Sequence, residues 1–205
     1  MKYDLLADKK VVDKTSEALK KKGYSVFVVE NGSEALDKIK SLIPEWASVM
    51  NGSSISLEEI GYGDFLKSGK SGWDDLHSKV DAENDPEKRR ALRKEATMSD
   101  YYLGSVHALT EDGQMIIASN SGSQLPHIAF TSPNLVFVIG SQKIVPNLDE
   151  AMKRLENYVV PLEDKHMQAK FGIGTELNKI IIFKGENPNL GRKINIILVN
   201  QKLGF

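Results

Sequence analysis

Four short segments of the chain combine glycine with small polar side chains, a composition typical of loops that hold anions. Glycine lets backbone N–H groups approach a ligand closely, and serine hydroxyls add further hydrogen-bond donors. The segments are residues 51–54, 104–113, 119–124 and 140–143. In the last of them, Lys143 can add a positive charge to the same ligand. Each segment also has the composition of an ordinary turn or surface loop, so composition alone leaves both interpretations open.

The segment 104–113 also contains a carboxylate suited to catalysis. Glu111 has the side chain of a general base or of a carboxylate nucleophile. It precedes Asp112-Gly113, and Asp-Gly is among the commonest turn dipeptides, so a plain turn explains the same residues. Glu111 is therefore the candidate catalytic residue, with a turn as the alternative. The candidate ligand-binding residues are Gly52, Ser53, Ser54, Gly104, Ser105, Thr110, Asp112, Gly113, Ser119, Ser121, Gly122, Gly140 and Lys143.

Segments that predict strands and helices alternate along the chain and flank these loops. Runs of β-branched and apolar residues predict strands, and amphipathic spacing bounded by glycine, proline or a capping residue predicts helices. Such alternation is typical of an α/β fold with a mostly parallel sheet covered on both faces. The predicted strands are residues 24–29, 46–50, 115–118, 135–139, 179–183 and 194–199.

Helix starts and interruptions can be placed from a few residues. Ser56 and Glu59 have the spacing of a capping box, and Asp85-Pro86 is typical of an N-cap followed by proline in the first turn. Pro161 should interrupt a long helical segment, because proline removes one backbone hydrogen bond. The predicted helices are residues 5–22, residues 33–42, one beginning near Ser56, one beginning after Asp85, and residues 147–170.

The four polar segments should meet in space. In open α/β sheets, ligands gather beyond the carboxyl ends of the strands, which is where these loops are predicted. We therefore expect Gly52, Glu111, Gly122 and Lys143 to surround one shared cavity. A ligand in that cavity would be a small anion.

Composition limits the classes of protein. The chain has 205 residues, of which 40% are hydrophobic and 27% charged, so it predicts one globular domain over residues 1–205 with an N-terminal helix at about residues 1–22. A net charge of -1 gives no general electrostatic reason to expect nucleic acid or an anionic membrane as partner.

The absence of cysteine narrows the chemistry further. The sequence contains no cysteine and four scattered histidines, which excludes iron–sulfur clusters, thiolate zinc sites and cysteine nucleophiles and indicates no metal site. It contains neither a P-loop nor a dinucleotide-binding fingerprint. No segment resembles a signal peptide, and the longest apolar runs are of strand length, so we expect a cytoplasmic protein without membrane insertion.

Three stretches resemble the lactate-utilisation (LUD) domain family. They are residues 53–61 (SSISLEEIG), residues 104–113 with the sequence TEDG at their end, and residues 135–145 (LVFVIGSQKIV). The resemblance extends in the same order and spacing from about Lys9 to Phe205. It implies a three-layer, mostly parallel α/β fold similar to that of ribose-5-phosphate isomerase, glucosamine-6-phosphate deaminase and the CoA-transferases.

The resemblance also implies a function. The family is linked to the oxidation of lactate to pyruvate by a multi-protein system, and longer members carry cysteine motifs for iron–sulfur clusters that this chain lacks. Many relatives have a more glycine-rich turn where this chain has Met50-Asn51-Gly52. The distantly similar CoA-transferases use a glutamate in a Glu-Asn-Gly setting, which Glu111-Asp112-Gly113 approximates.

These observations predict a LUD-type protein that binds a small anionic metabolite or nucleotide in lactate or organic-acid utilisation. No resident cofactor is evident, and CoA, a nucleotide or a phosphorylated compound are candidate ligands. One alternative is a CoA-transferase-like or isomerase-like enzyme using Glu111. Another is a non-catalytic subunit whose partners are iron–sulfur redox proteins, with Tyr101-Tyr102 and the basic helix after Asp85 as exposed contact surfaces.

Overall fold

The structure, a computed structural model, describes residues 2–205. Ten strands form two sheets. The strands are β1 (Ser25–Val29), β2 (Ser48–Asn51), β3 (Asp74–Asp75), β4 (Tyr101–Gly104), β5 (Ala108–Thr110), β6 (Met115–Ser119), β7 (Asn134–Gly140), β8 (Ile144–Val145), β9 (Lys179–Phe183) and β10 (Lys193–Val199). The helices are α1 (Lys9–Lys21), α2 (Gly32–Leu42), α3 (Ile55–Glu59), α4 (Tyr62–Lys67), α5 (Leu76–Ala82), α6 (Pro86–Glu95), α7 (Leu148–Arg154) and α8 (Val160–Phe171).

The larger sheet has six strands in the order β1-β10-β7-β4-β2-β3, and every pairing in it is parallel. Along β7, Leu135 and Phe137 pack into the core on one face, while Val136 and Val138 pack into the core on the other. This alternation follows from the two-residue period of a strand whose two faces are both covered. The predicted α/β class with a mostly parallel, helix-covered sheet is confirmed.

A second, smaller sheet was not predicted. Its order is β8-β5-β6-β9, with antiparallel pairs between β5 and β6 and between β6 and β9. One of its faces packs Leu109 and Met115 onto the core beside α1, and the other packs Ala108 and Ile116 against the helices after Asn147. β5 and β8 are three and two residues long, too short for a two-residue alternation to be recognised in the sequence.

Capping explains two helix starts. Asp85 caps α6 as predicted, because its Oδ1 accepts the backbone N–H groups of Glu87 and Lys88 at 2.9 and 3.2 Å. The prediction from Ser56 is wrong by two residues: Ser54 is the N-cap of α3 and accepts from the N–H of Leu57. Ser56 lies inside the helix with its side chain buried, where it has a different role.

The helix predicted to be interrupted at Pro161 continues through it. α7 passes into a π-helical turn at Leu155–Val159 and then into α8, which ends at Gly172 with a left-handed φ of 70°. A π turn lengthens the spacing of the hydrogen-bonded ladder, and here it lies immediately before the proline that cannot donate to that ladder. The side chains after Pro161 therefore stay on one continuous rod.

Gly140 lies at the end of β7 against the chain segment that follows β10. A Cβ on Gly140 would lie 2.2 Å from Gln142 Oε1, 2.7 Å from Gln201 O and 2.8 Å from the backbone nitrogen of Leu203. Its φ of -66° is available to any residue, so the constraint is space rather than backbone conformation. Gly140 is thus a packing residue at the junction of two central strands.

We predict that Gly140→Ala lowers the free energy of unfolding by about 2 kcal/mol or more, because the added methyl group meets backbone atoms that cannot move independently. Gly172→Ala is the matched control: a Cβ there meets nothing within 4 Å, so only the positive φ is strained. Its expected cost is about 1 kcal/mol. Urea unfolding of both variants measures the difference, and equal losses would contradict the packing explanation.

Candidate functional site

A cavity of about 650 Å³ opens at the carboxyl ends of β2, β4 and β7. Its volume lies within the roughly 300–1,000 Å³ typical of small-molecule sites. The three strands are neighbours in the sheet, so the segments after Asn51, Gly104 and Gly140 begin side by side. The helical rod containing α8 forms the opposite wall. This is the position at which open α/β sheets bind ligands.

The ammonium group of Lys143 lies in the wall of this cavity. Lys143 is 4% exposed, and its Nζ donates to Ser56 Oγ at 3.0 Å and to Ser105 Oγ at 3.1 Å. Both hydroxyls direct their own protons elsewhere, Ser56 to the carbonyl of Leu203 and Ser105 to the carbonyl of Val138. Each serine therefore accepts from the lysine. Two of the three ammonium N–H groups are satisfied, and the third has no acceptor among residues 2–205.

This buried cation has no ion-pair partner among residues 2–205. Burial and the charge of Arg154 lower the pKa of Lys143 to about 7, and Glu59 opposes this only in part. The Glu59 carboxylate instead accepts the backbone N–H of Gly204 at 2.7 Å. An uncompensated buried cation is costly, and a bound anion would lower that cost.

Arg154 is a second buried cation behind the cavity wall. It has no solvent exposure, donates from Nη1 to the carbonyl oxygen of His107, and stacks against the rings of Tyr3 and Tyr158 at 5.8 and 5.3 Å. Its Nε and Nη2 have no hydrogen-bond partner. Burial lowers its pKa to about 10, so it remains charged at neutral pH. Lys143 and Arg154 together make this end of the cavity electropositive.

His107 presents a neutral imidazole to the cavity. Its Nδ1 accepts the backbone N–H of Ala118 at 3.0 Å, so the ring proton resides on Nε2. Burial, together with the charges of Lys143 and Arg154, lowers the pKa of His107 to about 3. At neutral pH this side chain is therefore a hydrogen-bond donor without a charge.

A chain of hydrogen bonds fixes two of the cavity loops to each other. The N–H of Gly52 donates to the Tyr102 hydroxyl at 3.1 Å, that hydroxyl donates to Gln124 Oε1 at 3.2 Å, and Gln124 Nε2 donates to the carbonyl of Ala118 at 2.9 Å. The His127 ring stacks on Tyr102 with the centroids 4.7 Å apart. Because the Gly52 N–H is used in this way, it is not free to hold an anion.

The structure brings most of the predicted ligand-binding residues together, but not all of them. The cavity is lined by Gly52, Ser53, Ser54, Gly104, Ser105, Ser119, Ser121 and Lys143. The predicted residues that lie outside its lining are Thr110, Glu111, Asp112, Gly113, Gly122 and Gly140.

The expectation that Glu111 shares this cavity is wrong in its geometry. β5 runs between His107, which lines the cavity, and Glu111, so the carboxylate lies at the opposite end of that strand. Each strand residue advances the chain by about 3.3 Å, which separates the two positions by roughly 13 Å. Glu111 instead pairs with Lys14 of α1 at 2.7 Å. The segment around it forms the turn between β5 and β6.

The other predicted residues that lie outside the cavity lining belong to that turn or to closely packed loop positions. Thr110 and Asp112 hydrogen-bond to each other within the turn, and Gly113 has a φ of 84° and packs on α1. Gly122 also has a φ of 84°, and its N–H donates to Ser119 Oγ at 2.9 Å, so its role is to hold the conformation of the loop. The Asp-Gly pair is thus the ordinary turn that was the alternative interpretation.

Several residues that line the cavity were not predicted from the sequence. Tyr102 is 1% exposed, because β4 is a central strand, and the expectation of an exposed Tyr101-Tyr102 contact surface is wrong. On α8, the lining residues follow one another at intervals of three and four residues. This spacing is visible in the sequence and could have predicted that they share one face of the helix. The missed lining residues with polar or aromatic side chains include His77, Tyr102, His127, Glu163 and Phe205.

No three His, Asp or Glu side chains meet as a metal-ligand set within residues 2–205. In the same range, no helix has both the length and the apolar character that a membrane span requires.

The fold and the cavity define an α/β protein with a cavity at its strand ends, and comparison with known proteins gives the family. A model of the LUD domain matches residues 12–194, and the chain belongs to the LUD domain family. The crystal structure of a DUF162 family protein from Deinococcus radiodurans has a similar fold, with a TM-score of 0.56 at 10% sequence identity. The similarity covers 96% of this chain and 100% of that one. None of the curated proteins compared with the chain matches it.

We predict that Lys143 gives the protein a specific pH dependence of stability. Folding lowers its pKa from 10.5 to about 7, so between those values the unfolded chain holds the proton and the folded chain does not. The free energy of unfolding of the wild type therefore rises relative to that of Lys143→Met as the pH increases from about 7 to 10.

Urea unfolding of the two proteins at several pH values checks this prediction. Lys67→Met, which removes an exposed lysine on α4, is the matched control and should follow the wild type across the range. Parallel stability curves for the wild type and Lys143→Met would contradict the buried position of the ammonium.

Proposed function

We propose that this protein binds a small anionic metabolite in the strand-end cavity, with the anionic group on Lys143. The observation that carries the proposal is the buried ammonium with two serine acceptors, a third free N–H and no ion-pair partner among the described residues. A ligand anion would supply the missing countercharge, and removal from water would strengthen that contact.

The surroundings of Lys143 support an anion rather than a cation. Arg154 adds positive charge behind the wall, and the neutral His107 ring offers an N–H donor. Ser53 and Ser121 are exposed hydroxyls on two rims of the cavity, able to contact the more distant atoms of a ligand. All of these groups donate hydrogen bonds, and donors are what a carboxylate or phosphate requires.

Family membership directs the proposal towards organic acids. LUD domain membership suggests a role in lactate utilisation, and the substrates of such chemistry are carboxylates. We assign this chain the binding of an organic acid in that setting. The enzyme alternative that relies on Glu111 loses its support, because this carboxylate lies outside the cavity and is paired with Lys14.

Binding of lactate, AMP, ribose 5-phosphate and acetyl-CoA, measured by calorimetry, tests the proposal. We expect at least one of these anions to bind, and Lys143→Met to weaken it by about 10- to 100-fold, the range for losing a hydrogen bond to a charged group. Glu111→Gln should leave the affinity unchanged. Equal binding by Lys143→Met and the wild type would contradict the proposal.

The same titration should depend on pH. Binding requires the protonated amine, whose pKa is about 7, so the dissociation constant should rise about tenfold between pH 6 and pH 8. Glu163 also lines the cavity, and burial raises the pKa of its carboxyl group. Glu163→Gln is therefore the control: the pH dependence should persist in this variant and disappear in Lys143→Met.

A further inference from the structure

The cavity has an apolar wall in addition to its cationic end. The rod formed by the π turn and α8, with the loop after it, contributes aliphatic and aromatic side chains. On α8, Val160, Glu163, Met167 and Phe171 follow one another at helical spacing, so three of the four groups on the cavity face are apolar. The apolar lining of this wall consists of Val159, Val160, Met167, Phe171, Ile173 and Leu177.

This wall adjoins the cationic end through residues 204–205. A Cβ on Gly204 would lie 3.3 Å from Lys143 Nζ and 2.7 Å from Ser56 Oγ, so the backbone there is in close contact with the ammonium site. The next residue, Phe205, lines the cavity, and its ring contacts that of His166 on α8 with centroids 6.2 Å apart. An apolar surface therefore begins beside Lys143 and continues to α8.

The protein itself does not cover this wall. None of the residues of α8 is buried, and Phe171 and Ile173 are 54% and 61% exposed. Apolar side chains that are exposed beside a cavity become favourable contacts once a ligand removes them from water. A three-carbon acid held at Lys143 would occupy only a small part of about 650 Å³ and would leave this wall exposed.

We propose that the ligand is an amphiphilic monocarboxylic acid, whose carboxylate contacts Lys143 and whose hydrocarbon chain or ring lies along Phe205 and the cavity face of α8. This inference rests on the proposed function and names the class of anion. Lys143 is the buried cation in the lining, matched to one negative charge, whereas Arg93, the other basic lining residue, is exposed. The multiply charged phosphates of CoA or a nucleotide would meet no second buried cation in the lining, because Arg154 lies behind it.

A chain-length series tests the inference with the full-length protein. Calorimetry at pH 6.5 with straight-chain 2-hydroxy acids of three to eight carbons should show a dissociation constant that falls about fourfold per added methylene until the apolar wall is covered. Lys143→Met should weaken the binding of every acid in the series by tenfold or more.

Two methionine variants test where the hydrocarbon chain of the acid binds. Met167→Ser removes an apolar group from the cavity face of α8, so the affinity should depend less steeply on chain length than in the wild type. Met98→Ser is the matched control, because Met98 is 72% exposed and does not line the cavity; it should reproduce the wild-type series.

The possible outcomes separate this inference from the proposed function. Binding that depends on Lys143 but is independent of chain length overturns the inference and leaves the function intact. If only phosphorylated anions bind and depend on Lys143, this inference and the assignment of an organic acid are both overturned, and only the anion site at Lys143 stands. If long acids bind Lys143→Met as tightly as the wild type, or if no anion binds the wild type, both proposals are overturned.

Discussion

The burial of the Lys143 ammonium among hydroxyl oxygens is the constraint on which the site depends. A lysine reaches such a position only if acceptors from several segments converge on it, and Ser56 and Ser105 come from different parts of the sequence. The strand order supplies that convergence, because β4 and β7 are adjacent and deliver Ser105 and Lys143 to the same edge. The serines stay oriented because the carbonyls of Leu203 and Val138 accept their protons.

Burial lowers the pKa values of Lys143 and of the two titratable side chains near it, His107 and Arg154. The imidazole of His107 stays neutral because burial and the charges of Lys143 and Arg154 lower its pKa to about 3. Arg154 stays charged because burial lowers its pKa only to about 10. Such clusters of shifted pKa values are enriched at functional sites, although structural networks also produce them. Here the cluster adjoins a cavity, which a purely structural network does not require.

Local sequence signals predicted the parallel sheet well, because β7 and β10 are long apolar runs and α6 has a strong capping residue. They also indicated the loops carrying Ser53, Ser105 and Lys143. They did not show that the two ends of β5 have different surroundings. This three-residue strand separates His107, which lines the cavity, from Glu111, which lies in a turn, and the type of either side chain would suit a functional site. Tyr102 was missed because its hydroxyl has a role only through Gly52 and Gln124, which are distant in sequence.

Pro161 illustrates how a local irregularity shapes the site. If the helix had ended before this proline, Met167 and Phe171 would lie beyond a turn, and no rod would span the cavity opposite the sheet. The π turn at Leu155–Val159 lets the chain pass the missing N–H and keep its direction, so that one helical face continues from the buried Val159 to the exposed Phe171. Exposure to solvent therefore increases along this face. The apolar face of α8 borders the cavity instead of another part of the protein, which explains why no residue of α8 is buried.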